Sequence, residues 1–249
     1  MTRPRFYCDA IEGEKVELCG SESRHLAAVR RLSSGELVEL FDGLGKLAVG
    51  MVDKADVRRA SVTVKQVKVL PRRTTARITI AVSIAKGARF DRLLAKCTEL
   101  GVDRICPVVF ERTVKQPENP RVVERWKNIA VGSAKQCRRL FLPKIDGPAP
   151  AATAVANLRS DFKDARFIVG SLSSDAAFLA ETTFGGCDVV AIIGPEGGFS
   201  EQEERFLKEQ AVEQVQLGDT VLRVETAALA FAAILTARRN AVEHASGVS

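Results

Sequence analysis

Two short stretches hold the residues whose types and spacing could do chemistry. Residues 188–205 read DVVAIIGPEGGFSEQEER. Within them, Gly194, Pro195, Glu196, Gly197 and Gly198 form a loop that permits positive φ and lets a ligand approach the backbone closely, because no Cβ stands in the way. The loop has no Lys or Arg, and Glu196 with Glu201, Glu203 and Glu204 would repel a phosphate cluster while tolerating a neutral or cationic ligand. Neither GxxxxGK followed by Ser or Thr nor GxGxxG occurs, which disfavours nucleoside triphosphates and dinucleotides. Residues 217–230 read LGDTVLRVETAALA. Here Arg223 could stabilise negative charge developing on an oxygen, and Glu225, like Glu196, could accept a proton. Each also has a structural reading: Arg223 as an ion-pair partner, Glu225 as a helix cap, Glu196 as a brace within its loop.

Other chemistries find little support. The six cysteines, at 8, 19, 97, 106, 137 and 187, make no CxxC pair, and only His25 and His244 could join them as imidazole ligands, so no metal site is expected. The cysteines read as small buried hydrophobes in a reducing compartment. No run of about 18 apolar residues occurs and the N-terminal residues lack a signal-peptide core, which predicts a cytoplasmic protein without a membrane span.

The elements that must position the two stretches follow from periodicity. Residues 189–193 are an unbroken apolar, β-branched run, the pattern of a strand buried on both faces of a parallel sheet, and Ser200 with Glu203 forms a capping box that opens a helix. The glycine loop therefore lies at the carboxyl end of a parallel strand, where open α/β sheets bind ligands. Strands are expected at 78–85, 104–109, 166–172, 189–193 and 215–217, with helices near 89–100, 121–140, 175–182, 201–210 and 226–240, an alternation that gives a parallel sheet with helices on its faces. Before the polar break at 71–74, residues 5–8, 16–18, 36–42, 46–52 and 60–70 read as strands of a small β-rich domain. The apolar phase switch between Val64 and Val67 calls for a bulge near Lys65 or Gln66. One helix interrupts them, capped by Ser21, turning Leu26, Val29 and Leu32 inward and leaving arginines outside, with His25 either structural or an RNA contact.

Charge is unevenly spread: residues 1–73 carry +4, 74–145 carry +9 and 146–249 carry −7, against +6 overall. A basic first part suits a polyanion, and an acidic last part keeps competing anions from the glycine loop.

GPEGG followed by LG, three residues and LRVETA resembles the RsmE-type 16S ribosomal RNA uridine-N3 methyltransferases of the SPOUT (α/β-knot) superfamily. Lys86-Gly87, Lys96 with residues 99–102 (ELGV), Arg112, Gln136 with Arg139, and His25 with Val29 and Arg31 fall in that family's order over nearly the whole chain. Val224 stands where the family usually has Thr, Lys135 where it often has Glu and Arg138 where it often has Gly.

The resemblance implies a PUA-like RNA-binding β-barrel at 1–72 and a SPOUT methyltransferase domain at 73–249 with a deep trefoil knot, a homodimer, and no metal. It implies S-adenosylmethionine held by Ser171, Leu172, Gly194, Pro195, Glu196, Gly198, Leu217, Gly218, Leu222, Arg223 and Thr226, with catalysis by Arg223, Glu225 or Glu196. RNA contact falls to Arg30, Arg31, Lys86, Arg89, Arg112, Arg138 and Arg139, and the substrate is 16S ribosomal RNA within the small ribosomal subunit. Alanines at 227, 228, 230, 232 and 233 would permit close helix contact in the dimer. The rivals are another SPOUT specificity, at a ribose 2′-oxygen or guanosine, and an idle RNA-binding assembly factor, against which the intact GPEGG and LRVETA stretches argue.

Overall fold

The computed structural model describes residues 3–114 and 121–245. They fall into two compact units, Met1–Arg72 with Val131–Leu142, and Arg73–Ala130 with Pro143–Ser249.

In the first unit, strands β1 (Arg5–Tyr7), β2 (Lys15–Cys19), β3 (Leu37–Phe41), β4 (Lys46–Lys54) and β5 (Arg59–Val69) form one mixed sheet in the order β1-β3-β4-β5-β2, parallel only between β1 and β3. The ladder between β4 and β5 pairs Val49 with Gln66 and then Gly50 with Val64, so Lys65 is the extra residue and the bulge falls where the apolar phase switches. Phe6, Leu18, Leu26, Val38, Leu40 and Val62 fill the interior. Helix α1 (Gly20–Arg24) departs from expectation: its N-cap is Cys19, without a side-chain cap bond, and it runs directly into a π turn over His25–Val29. That wider turn leaves Leu26 buried but rotates Val29 outward, to 65% exposure.

The second unit is a wholly parallel sheet. Its strands are β6 (Ile78–Ser83), β7 (Arg104–Val109), β8 (Lys144–Ile145), β9 (Ala149–Pro150), β10 (Arg166–Gly170), β11 (Ala177–Phe178), β12 (Val189–Ile193) and β13 (Glu213–Gln216). They run in the order β11-β13-β10-β12-β6-β7-β8, with β9 beside β7. Helices α2 (Ala88–Leu100), α3 (Val122–Cys137), α4 (Ala151–Asp161), α5 (Glu201–Glu209) and α6 (Val224–Ala245) complete the chain, the last turns of α3 belonging to the first unit. Ala81, Phe167, Val190 and Ile192 pack with Ala154, Leu158 and Leu207 of α4 and α5. Helix α6 packs on β6, β12 and α2, burying Ala228, Phe231, Ala232 and Leu235. Alanines 228 and 232 are thus consumed within the chain, while Ala233 is exposed.

Three expectations need correction. Residues 175–182 are a turn and the short strand β11 rather than a helix: Leu179 N donates to Gln216 O of β13, and the Gln216 side chain donates back to Ala176 O at 2.6 Å. Helix α6 begins at Val224, two residues early, with Arg223 O accepting from Ala227 N, so Glu225 sits inside the first turn rather than capping it. Cys8, Cys97 and Cys106 are buried as expected, but Cys19 is exposed and Cys137 and Cys187 are half-buried; all are free. Helix α4 escaped the sequence reading because its weakly amphipathic, alanine-rich stretch gives little periodic signal.

Candidate cofactor site at the carboxyl ends of the strands

Three loops leave the carboxyl ends of β10, β12 and β13 and enclose one open cavity of 360 Å³. Each strand is pinned by its neighbour in register, Val169 opposite Ile192 and Gly170 opposite Val215, so the loops must emerge side by side. Ser171, Leu172, Gly194, Pro195, Glu196, Gly198, Leu217, Gly218 and Leu222 line the cavity. Arg223 and Thr226 do not; both are exposed on the first turn of α6 or just before it. Gly170, Ile193, Phe199, Thr220, Val221, Ala227 and Phe231, none of them among the sequence candidates, complete the lining together with Glu204, which the sequence marked only as one of the acidic residues after the loop. Helical spacing from Ala227 to Phe231 carried a signal for the last pair.

The GPEGG loop is braced from several sides. Only Gly198 among its glycines has positive φ, at 72°. Gly194 serves close approach instead: a Cβ there would lie 2.6 Å from the Phe199 ring, which itself packs edge-on against Phe110 with centroids 5.2 Å apart. The capping box forms as expected, Ser200 N donating to Glu203 Oε2 at 2.9 Å, and the second oxygen of Glu203 accepts from Glu111 N at 2.8 Å. Arg112 donates to the Gly197 carbonyl at 2.8 Å, so this guanidinium also holds the loop. On the β10 side, Ser171 N donates to Val215 O at 2.8 Å and its hydroxyl to Gln214 Oε1 at 3.1 Å.

Charge at the cavity is acidic. Glu196 and Glu204 are its charged lining residues, with no Lys or Arg among them. Arg89, at the start of α2, stands between two carboxylates, 3.7 Å from Glu196 Oε1 and 3.8 Å from Glu225 Oε1. Glu225 is 13% exposed, and its Oε2 is buried without a hydrogen-bond partner among the described residues. Leu172 and Val221 are apolar yet 58% and 74% exposed beside the cavity, surface that a flat heterocycle could cover. The residues fit an adenosyl sulfonium: the volume is in the range of small-molecule sites, glycines free backbone groups for hydrogen bonding, and the lining charge favours a cation.

The other basic residues are placed unit by unit. Lys86 is exposed in the turn before α2. In the first unit Arg30 and Arg31 are exposed and Arg139 half-buried. Arg138 donates to both oxygens of Glu39, at 2.8 and 2.7 Å, and Lys135 is held by Glu22 at 2.7 Å. His25 meets Phe6 edge-on with centroids 5.7 Å apart, and burial, aided by Lys135, lowers its pKa below the ordinary value. Among the described residues no cluster of metal-ligating side chains occurs, and no helix is long and apolar enough to cross a membrane.

Residues 72–236 match the family described as an RNA methyltransferase domain, and residues 18–65 an RNA methyltransferase PUA domain. A curated relative from Mycobacterium tuberculosis (strain CDC 1551 / Oshkosh), ribosomal RNA small subunit methyltransferase E, is 30% identical over 95% of this chain and 93% of its own. The protein of that name from Aquifex aeolicus is 28% identical, over 92% and 97%. The crystal structure of the Neisseria gonorrhoeae ribosomal RNA small subunit methyltransferase E bound to S-adenosyl methionine superposes with TM-score 0.84 at 29% identity, covering 95% of this chain and 98% of that one. The chain belongs to the ribosomal RNA small subunit methyltransferase E family.

Proposed function

We propose that this protein transfers a methyl group from S-adenosylmethionine to N3 of a uridine in 16S ribosomal RNA. One observation carries the reading: the three loops singled out in the sequence converge on one cavity whose lining is glycine-rich, apolar and acidic. Bound there, S-adenosylmethionine supplies an electrophilic methyl on a sulfonium. Backbone groups at Gly194, Gly198, Leu217 and Leu222 hold its adenine and ribose, and Leu172 and Val221 cover the ring faces. The S–CH3 bond breaks as the N3–CH3 bond forms, so the N3 proton must leave. Glu196 accepts it, being the catalytic candidate that lines the cavity. Arg89 faces the negative charge that develops on the uracil oxygens, and Glu225 positions Arg89. Arg223, exposed outside the cavity lining, contacts RNA rather than the reacting atoms.

Arg30, Arg31, Lys86 and Arg139 contribute phosphate contacts, each neutralising charge without reading sequence. Arg112 and Arg138 act through the loop and the ion pair they hold. The protein works in the cytoplasm as a homodimer, on the small ribosomal subunit and without a metal.

The test is single-turnover transfer from labelled S-adenosylmethionine to unmodified small-subunit particles and to free RNA, followed by nucleoside analysis. N3-methyluridine is the expected product. A 2′-O-methyl or guanine product would overturn the specificity, and an absence of cofactor binding would overturn the assignment. Glu196→Gln should lower the transfer rate by about 100-fold while leaving cofactor affinity within a few-fold, separating proton transfer from binding.

A further inference from the structure

We infer that Glu204 makes the cavity discriminate between the cofactor before and after methyl transfer, holding the sulfonium form and releasing the thioether form. The inference rests on the cavity being the S-adenosylmethionine site.

Glu196 and Glu204 are the two carboxylates that line the cavity. Their situations differ. Glu196 shares its charge with Arg89 at 3.7 Å. Glu204 makes no side-chain hydrogen bond or ion pair among the described residues; only its backbone N–H is engaged, donating to Ser200 O at 2.9 Å. Neither cation of its own helix pairs with it: Arg205 Nε donates to Glu201 O at 3.3 Å, and Lys208, which shares with Glu204 and Arg205 the lining of a neighbouring 870 Å³ cavity, makes no ion pair among the described residues. Glu204 stands in the first turns of α5, beyond the Ser200 cap, where the helix dipole favours an anion. An unneutralised carboxylate facing a ligand cavity is a fixed negative potential.

The two cofactor forms share adenosine and amino-acid ends and differ at sulfur. Transfer breaks S–CH3 and makes N3–CH3, leaving a neutral thioether, while the N3 proton passes to Glu196 and then to water. The ligand's net charge falls from +1 to zero at that step. A sphere of 360 Å³ is about 9 Å across, comparable with the Debye length of about 8 Å, so salt screens the field of Glu204 only in part over that span. Coulomb's law across about 8 Å, in an open cavity of high effective dielectric, gives one carboxylate a preference of about two- to sixfold for the charged form. Glu204 therefore opposes product inhibition by the field it presents, without touching the reacting atoms.

The test is calorimetric titration of the full-length protein with S-adenosylmethionine and with S-adenosylhomocysteine, for wild type and Glu204→Gln. Wild type should bind the sulfonium more tightly. The variant should lose about two- to sixfold of that preference, through weaker S-adenosylmethionine binding at unchanged S-adenosylhomocysteine affinity. Raising salt should shrink the preference in wild type and hardly alter it in the variant. Equal weakening of both ligands would mean that Glu204 meets a group they share, and no change would mean that its charge is not felt; either overturns the inference. Failure of both ligands to bind wild type overturns the site assignment itself, a distinguishable result. A thermal melt with an unchanged midpoint confirms that the exposed substitution leaves the fold intact.

Discussion

The two ends of the parallel sheet treat charge in opposite ways. At the amino ends of the strands, ionised groups are matched. Arg77, before β6, donates from its backbone and guanidinium to Asp188, before β12. Arg104, at the start of β7, reaches Asp146 and Asp161 at 2.6 Å each; Arg239 of α6 reaches Asp103 at 2.7 Å; Arg166 at the start of β10 pairs with Glu213 at the start of β13. At the carboxyl ends, Glu204 has no partner among the described residues and Glu196 and Glu225 share one arginine at the edge of ion-pair distance; a buried atom is left without a hydrogen-bond partner at each end, Glu225 Oε2 here and Arg239 Nε at the other, among the described residues. Matched charge ties neighbouring strands and their flanking helices together, whereas unmatched charge leaves a field that a ligand can meet. Both ends draw on the same residue types, so pairing, not composition, separates scaffold from site.

The largest test of this contrast is at the amino end. Arg104 is 8% exposed, and Arg104→Ala leaves Asp146 and Asp161 with the weaker counter-charge of Lys144, at 3.7 and 3.9 Å. It should destabilise the second unit by about 3 kcal/mol in urea unfolding. Cofactor affinity of the folded fraction should be unchanged; a large selective loss of affinity would erase the contrast. Next in size, Gly194→Ala drives a Cβ against the Phe199 ring and should weaken S-adenosylmethionine binding about tenfold, or about 1.4 kcal/mol, with a smaller loss of stability. Ser200→Ala removes the cap of the helix that carries Glu204 and should cost about 1 kcal/mol in the same unfolding measurement.

The smallest effect is a pH dependence at the amino end. The hydrogen bond from Arg104, with its charge, holds the Asp161 carboxyl below the ordinary carboxylate range. Its stabilising contribution is therefore complete above the unfolded value of about 3.9 and is lost as pH falls through the depressed folded value. Asp161→Asn should flatten the stability profile in that acid window, read by denaturant midpoints across pH.

Much of the site was legible because it is local. GPEGG, the Ser200–Glu203 box and LRVETA each specify a local geometry within a few residues, and all three stretches line or flank the cavity. The bulge at Lys65 was legible for the same reason: a period of two leaves a visible mark when one residue is inserted. Less was readable where a contact is long-range. Arg112 and Arg89 read as cations for RNA, yet one grips the Gly197 carbonyl and the other faces Glu196 and Glu225, across sequence gaps that no periodicity spans. The turn at 175–182 has helical composition locally, and β13 overrides it by pairing. Val29 turned outward because a π turn replaced an α turn, a choice made by packing around Leu26.

The sequence by itself determined the strand-loop-helix units, the acidic character of the ligand loops and the family, since propensities, caps and glycine loops act over a few residues. The tertiary structure decided which loops share a cavity, which carboxylates are neutralised and which are left free. Ion pairing depends on distances set by sheet order, and the Arg104 and Glu204 side chains differ in role only because one meets its counter-charges in space and the other does not.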